Sequence, residues 1–344
     1  MKTYLNTLYI TTQPSYVRLN NQTLQVEVER QTRLRIPLHH IGGLVCFGSV
    51  LVSTGALCAL AAANKYTVFL SEFGRFQARV TGPVSGNILL RKAQFAAAAS
   101  NSLSLELART LTAGKIQNCR NLLLRSARDT QNPDDQQALQ QTAQQLANSL
   151  KKLEKCPNLE VLRGIEGQAA KRYFGALPHA LIPNQRQDFR PTGRTKRPPR
   201  DRFNALISFL YGMLRNDCQS ALETAGLDPQ LGFLHTLRPG RPALALDLME
   251  AYRPLLADRL ALTLINRGQI KTNDFRNLPG GAVHLDESGR RTVIEAYQNR
   301  KNEQLQHPLL KEPIPLGLSL FVQARLLART LRNDLDHYPP FTPR

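Results

Sequence analysis

Cysteine is scarce and scattered in this 344-residue chain: Cys46, Cys58, Cys119, Cys156 and Cys218, with no CxxC and no zinc-ligand spacing. An odd, dispersed set argues against a disulfide framework and a cysteine-bound metal, and reads as reduced packing residues of a cytoplasmic protein. There is no GxxxxGK[ST] phosphate loop and no internal repeat. The opening, MKTYLNTLYITTQ, lacks the continuous apolar core of a signal peptide, so no export is expected.

Acid is in short supply as well. Against 26 Asp and Glu stand 45 Lys and Arg, a net charge of +19. Such an excess points to a polyanionic partner, nucleic acid before an acidic membrane surface, with a merely solvated basic surface as the plain alternative. Charge of either sign is missing from Ile41 to Asn64, a run long enough to span a bilayer. Gly42-Gly43, Gly48-Ser49 and Ser53-Thr54-Gly55 break it into pieces. A buried strand (Gly43 to Phe47), a helix capped near Ser53 (Ala56 to Ala63) and a second strand (Tyr66 to Leu70) fit better, and no membrane span is expected.

What is present divides the chain in two. Leu24, Val26 and Val28 alternate with polar neighbours and Asn20-Asn21 offers a turn, so the first eighty residues read as strands. VTGPVSGN (80 to 87) is a Gly/Pro/Ser break, and beyond it the period is helical. The expectation is an α+β chain: a small β-rich domain over 1–82, then a larger all-helical domain over 83–344. One helix is glutamine-rich, with Leu139, Leu146, Leu150 and Leu153 as a narrow stripe. Another runs from Asp201 to Ala225, with Gly226 past its end and Leu206, Phe209, Leu210, Met213 and Leu214 as core. Thr292 and Glu295 have capping-box spacing before a helix through Gln306.

Two regions carry concentrated positive charge. The segment 183–202, PNQRQDFRPTGRTKRPPRDR, reads as an exposed, disordered loop, either a solvated linker or an electrostatic arm. Its Arg190, Arg194, Lys196, Arg197 and Arg200 are candidate phosphate contacts. So are Arg325, Arg329 and Arg332, a basic stripe on a final helix near Leu318 to Arg332 whose other face holds Leu320, Leu327 and Leu331.

The acids that remain are oddly placed. In NLEVLRGIEGQAAKRYF, Leu159, Leu162, Ala169 and Tyr173 follow helical spacing, and the seam position between Leu162 and Ala169 is Glu166. A carboxylate facing a core needs a cation, a proton or a metal, and the flanking Gly164 and Gly167 leave room for a ligand. In HTLRPGRPALALDLMEAYRP, a helix starting at Pro242 puts Asp247 and Glu250 on one face, three residues apart, near His235. Two like charges there repel, so a shared cation, Arg or metal, is expected to relieve a strained pair. Each residue alone is explained by an ordinary ion pair: Glu166 with Arg163 or a distant lysine, Asp247 and Glu250 with Arg241 or Arg253. Taken together, Glu166, His235 and Glu250 form an oxygen-plus-imidazole set that suits Mg²⁺ or Mn²⁺ for phosphoryl transfer.

These segments resemble a known family. LRGIEGQAAKRYF, RPPRDRFNALISFLYGML, GFLHTLRPGRPALALDLMEAYRP and QARLLARTLRNDLDHYPPF are similar to motifs of the CRISPR-associated integrase family Cas1. LNTLYITTQPSYVRL, RIPLHHIGGLVCFGS and GRFQARVTGPVSGN resemble its type I-C branch. The resemblance implies an N-terminal β-domain that forms a homodimer, a helical catalytic domain and a Mg²⁺ or Mn²⁺ ion. It places the metal-binding positions on Glu166, His235 and Glu250, with Asp247 as an assisting acid. It also implies DNA as substrate, a small Cas2-like partner bridging two integrase dimers, and in some systems a Cas4 nuclease. One departure is Asn333, where many relatives have glycine.

The expected activity is therefore metal-dependent joining of 3′-hydroxyl ends of short DNA to a CRISPR array. The alternatives are a non-catalytic DNA-binding assembly protein and a general metal-dependent nuclease acting on branched DNA.

Overall fold

The computed structural model of the chain describes residues 2–83, 87–191 and 193–343, the side chains of Lys2 and Thr3 aside. The strands of its first part are β1 (Thr7–Ile10), β2 (Ser15–Asn20), β3 (Thr23–Val28), β4 (Gln31–Pro37), β5 (Gly43–Phe47), β6 (Val50–Val52), β7 (Tyr66–Leu70) and β8 (Phe76–Val80). Between β6 and β7 lies helix α1 (Thr54–Ala62), and the Ser53 hydroxyl accepts the Ala56 N–H at its start. Two four-stranded sheets result, ordered β1-β5-β7-β8 and β4-β3-β2-β6. The uncharged run is explained by the central position of β5, which pairs in parallel with both β1 and β7. Its Leu44 and Cys46 face a core shared with β2, β3 and α1, whereas Val45 and Phe47 face the helices. A strand buried on both faces has no position for a charge.

The helical part comprises α2 (Ile88–Ala99), α3 (Asn101–Asp129), α4 (Pro133–Glu154), α5 (Leu159–Ala176), α6 (Pro183–Phe189), α7 (Arg202–Thr224), α8 (Ala243–Glu250), α9 (Arg259–Asn266), α10 (Glu287–Asn302) and α11 (Leu316–Leu331). A π-helical turn, Arg253–Asp258, joins α8 to α9. This part is not all-helical: β9 (Phe275–Leu278) pairs with β10 (Ala282–Leu285), and β11 (Gln304–Gln306) with β12 (Pro313–Pro315). The fold is α+β, and none of its described helices is long and apolar enough to cross a membrane. The break at 80–87 falls partly outside the described residues.

Three further expectations need correction. The helix beginning near Thr292 is α10, which starts at Glu287 under an Asp286 cap, and Gln304–Gln306 is a strand. Thr292 lies inside the helix and its hydroxyl donates back to the Ser288 carbonyl, so the capping-box spacing is a coincidence of composition. Helix α8 begins one residue after Pro242, which is its cap.

The third concerns 183–202, which is a strap and not a loose loop. It opens with α6, whose Arg186 is ion-paired to the buried Asp135 of α4. Phe189, Pro191 and Pro199 are buried. Burial of these apolar anchors outweighs the solvation preference of the intervening basic residues. The basic stripe of α11 is exposed at Arg325, Arg329 and Arg332 as expected, with Leu320, Leu327 and Leu331 buried opposite. Asn333, just past its end, has φ +62°, which explains why glycine suits that position.

Candidate active site

The site is assembled from α3, α5, α8, the loop before α8 and the π-helical turn. Asp247, on α8, is fully buried and turns back toward the loop. Its Oδ2 accepts the N–H groups of Phe233 at 2.6 Å and Leu234 at 3.0 Å, and its Oδ1 accepts that of His235 at 3.0 Å. Oδ1 also lies 2.6 Å from His235 Nδ1. The loop comes this close because residue 232 is glycine: a Cβ there would stand 2.6 Å from Asp247 Oδ2 and 2.7 Å from the Ala243 carbonyl carbon. From the other side, Arg163 Nε of α5 donates to the Leu234 carbonyl at 2.8 Å.

This geometry answers the question of the shared cation. Asp247 and Glu250 do not repel across a single ion, because four donors satisfy Asp247 and the His235 ring lies between the two acids. His235 Nε2 is 3.6 Å from Glu250 Oε1. Glu250 has its own cations: Arg253 NH1 at 3.0 Å from Oε1 and Lys115 Nζ at 2.7 Å from Oε2. Burial by itself pushes the Glu250 carboxyl up, but Arg253, Lys115 and His235 outweigh it and hold the pKa at about 2. Paired in this way, Glu250 and Asp247 carry little of the repulsion that their spacing suggested.

Glu166 completes the group. Its carboxylate is paired with the same Lys115 ammonium, so one lysine of α3 bridges acids of α5 and α8. Burial pulls the Lys115 pKa down, yet Glu250 and Glu166 more than compensate and the net shift is upward. Arg253 behaves alike, with Glu250 overriding burial, and it also stacks 4.8 Å from the Tyr211 ring centre. The cluster is open on one side: the Glu166 side chain is 24% exposed and that of His235 18%. Space beyond Gly164 and Gly167 is empty to at least 4 Å, as a ligand approaching α5 requires.

The donor set fits a hard divalent cation. Nδ1 of His235 is held by the Asp247 carboxylate, which fixes the ring and turns Nε2 toward Glu250, the usual support of a metal-bound imidazole. Glu250 Oε2 is buried and receives no well-aligned hydrogen bond despite its 2.7 Å contact with Lys115. Among the described residues, however, no three His, Cys, Asp or Glu side chains converge closely enough to hold an ion as they stand. The acids are turned onto Lys115 and Arg253 instead.

A basic rim borders the opening. Burial and then the neighbouring charges of Arg238, Arg197 and Arg163 lower the pKa of Arg241, although Asp247 opposes them. Burial, Arg253 and Arg194 likewise lower that of Lys196, which brings the strap alongside the site. Of the strap residues, Arg190, Lys196, Arg197 and Arg200 are exposed. Arg200 NH1 also donates to the Gly280 carbonyl at 2.6 Å. Arg194 is committed inward, donating to Asn204 Oδ1 at 2.8 Å and Ser208 Oγ at 3.1 Å. Arg332 pairs with Asp334 at 2.7 Å.

Sequence reading missed Lys115. The signal was available, since Leu111, Lys115, Cys119 and Leu122 share one buried stripe of α3. A lysine there is the same anomaly that drew attention to Glu166.

Comparison with known proteins agrees with the motifs. The sequence model described as CRISPR associated protein Cas1 matches residues 8–299. The CRISPR-associated endonuclease Cas1 1 of Moorella thermoacetica is 51% identical over 344 residues, covering 100% of both chains. A CRISPR-associated exonuclease Cas4/endonuclease Cas1 fusion of Geobacter sulfurreducens is 37% identical over 339 residues, 98% of this chain and 60% of the fusion. Among solved structures, a Cas6-RT-Cas1--Cas2 complex aligns with TM-score 0.82 and 25% identity, over 98% of this chain and 36% of the other.

Proposed function

Because the chain belongs to the CRISPR-associated Cas1 family, we propose that it joins the 3′-hydroxyl ends of short DNA to phosphodiesters of a CRISPR array at the Glu166–His235–Glu250 site. It is an endonuclease and integrase of CRISPR adaptation. The observation that carries the site reading is the His235 ring, oriented by Asp247 and facing Glu250 beside an open face of α5.

In this reading Glu166, His235 Nε2 and Glu250 hold a Mg²⁺ or Mn²⁺ ion. The bound ion supplies Lewis acidity toward the phosphodiester and lowers the pKa of the attacking hydroxyl. Asp247 is the positioning acid: it holds Nδ1 of His235, so that Nε2 is aimed at the Glu250 side of the site, where a neutral imidazole would bind the ion. Arg253 balances Glu250 from the protein side. Arg163, Arg238 and Arg241 of the rim, the exposed Arg190, Lys196, Arg197 and Arg200 of the strap, and Arg325, Arg329 and Arg332 contact phosphates. Arg194 organises the strap and does not touch DNA.

The β-rich part, 1–82, serves homodimerisation, and the chain works in the cytoplasm with a Cas2-like partner. Support comes from the Cas1–Cas2 complex, while the Cas4/Cas1 fusion supports a Cas4 partner. The type I-C assignment rests on the opening motifs alone.

The test is incubation of the protein with branched DNA bearing a labelled 3′-hydroxyl strand, in Mn²⁺ or in EDTA. Joined product in Mn²⁺ and none in EDTA is expected. Joining in EDTA would exclude the ion mechanism, hydrolysis without joining would favour a general nuclease, and binding without either would leave an assembly protein.

A further inference from the structure

The reading of Glu166, His235 and Glu250 as ion ligands leaves Lys115 without a role, although it is the most central cation of the cluster. It is buried, and its single ammonium contacts Glu250 Oε2 and Glu166 Oε1, acids on two different helices. Three acids, Glu166, Asp247 and Glu250, gather around the site with two permanent cations, Lys115 and Arg253, and with the His235 ring between Asp247 and Glu250. Such a set of carboxylates is what a further cation needs, but the space between Glu166 and Glu250 is taken by Lys115.

We propose that Lys115 is a built-in counter-cation, which holds the Glu166 and Glu250 carboxylates in the ion-free protein and must withdraw before a divalent ion can bind them. The inference rests on the site reading above and adds a residue and a coupling to it. A divalent ion and an ammonium sharing both carboxylates repel each other across a few ångströms, an unfavourable contact in a partly dry site. Lysine suits the task because its charge is a compact point on a flexible four-carbon stem, so the ammonium can swing while α3 stays in place. Arg253 differs: its guanidinium is planar and stacked on Tyr211, and it remains with Glu250.

A withdrawn ammonium needs another anion, and a phosphate of DNA entering over the open face of α5 supplies one. Ion and DNA then favour each other through Lys115, and the coupling is reciprocal. Without DNA the site binds its ion weakly, which limits cutting by the free protein.

The experiment is a titration of the EDTA-washed full-length protein with Mn²⁺, read from the electron paramagnetic resonance signal of the free ion. It is repeated with and without a short duplex, and with the duplex alone as blank. Lys115→Met is expected to bind Mn²⁺ at least about tenfold more tightly than the wild type, equivalent to about 1.4 kcal/mol. Lys115→Arg, which keeps the charge, stays weak. Duplex tightens binding to the wild type by a clearly larger factor than to Lys115→Met, where only direct phosphate–ion contact remains; equal factors would overturn the coupling through Lys115. If circular dichroism shows Lys115→Met unfolded, Lys115→Gln replaces it, with an uncharged amide able to donate to Glu166.

Glu250→Gln separates the two levels of the argument. If it abolishes Mn²⁺ binding while the Lys115 variants bind no more tightly than the wild type, Lys115 is an ordinary structural cation and the site reading survives. Wild-type binding that ignores both Glu250→Gln and Glu166→Gln would overturn the site reading and this inference together.

Discussion

Two buried ionic groups in this protein have similar ingredients and opposite outlooks. One is Asp217 of α7 with Lys301 of α10: Nζ to Oδ2 is 3.0 Å, and the Tyr297 hydroxyl donates to the same oxygen at 2.8 Å. Its side chains are 6% and 2% exposed, one acid faces one lysine, and the group is sealed. The other is the Glu166–Lys115–Glu250–Arg253 cluster, with Asp247 and His235 behind it, where one lysine is shared between two acids and one side is open. A closed pair in balance specifies how two helices meet. Carboxylates that share a cation beside an opening can exchange it for another, and within a protein of +19 so many acids in one place stand out.

Substitution should separate the two groups. The largest effect is expected from Glu166→Gln, which should lower strand transfer by about a thousandfold or more, the scale of losing a group that stabilises transition-state charge. Its denaturant midpoint should move little, since the side chain is partly solvated. Asp217→Ala should do the reverse, leaving Lys301 buried and unpaired and destabilising the fold by about 3–5 kcal/mol in urea unfolding. Joining per folded molecule should hold. If Asp217→Ala removed joining from fully folded protein, the sealed group would no longer count as purely structural.

Asp247→Asn is the intermediate case. It keeps the shape of the loop but weakens the hold on His235 Nδ1, and Mn²⁺ affinity should fall by roughly 10- to 100-fold, the range for such supporting groups. Calorimetric titration would measure it.

Acid titration in EDTA sharpens the contrast further, because two acids joined by the π-helical turn shift in opposite directions. Glu250 has its pKa held at about 2, so its stabilising contribution is complete above the ordinary carboxylate value of 4.5 and is lost as pH falls toward 2. Asp258 is raised to about 6 by burial, only partly countered by the Tyr211 and Tyr173 hydroxyls and by Arg253 and Arg194. Ionising it in the fold is unfavourable, so its effect on stability declines from 3.8 upward and levels off above 6. Glu250→Gln should flatten stability below pH 4.5 and Asp258→Asn should flatten it between 4 and 6, in chemical unfolding across pH.

The smallest effect belongs to the surface. Replacing Arg325 and Arg329 together should reduce the slope of log affinity for duplex DNA against log salt by about 0.9 for each phosphate that is no longer neutralised. The same experiment on Lys196 and Arg197 asks whether the strap reads phosphates too. An unchanged slope in either case would remove that region from the DNA surface.

Much of the fold was legible because it is written locally. The Ser53 cap, the all-apolar β5 and the Asp201-to-Gly226 frame of α7 each depend on neighbours a few residues away. The strap and the start of α10 were misread for the same reason. Their order comes from Arg186 meeting Asp135 and from Asp286 capping a helix that composition placed later.

At the site, sequence by itself determined that Glu166 sits on an apolar seam and that Asp247 and Glu250 share a short helix, because helical period fixes which side chains share a face. It could not determine which charges meet. Lys115 and Glu166 are 51 residues apart, and His235 reaches Asp247 through a loop whose close approach depends on Gly232. Only the packing of α3 against α5 and α8 decided that Glu250 faces two cations while Asp247 faces backbone N–H groups. The strength of a charge interaction depends on distance and burial, and both are properties of the folded chain.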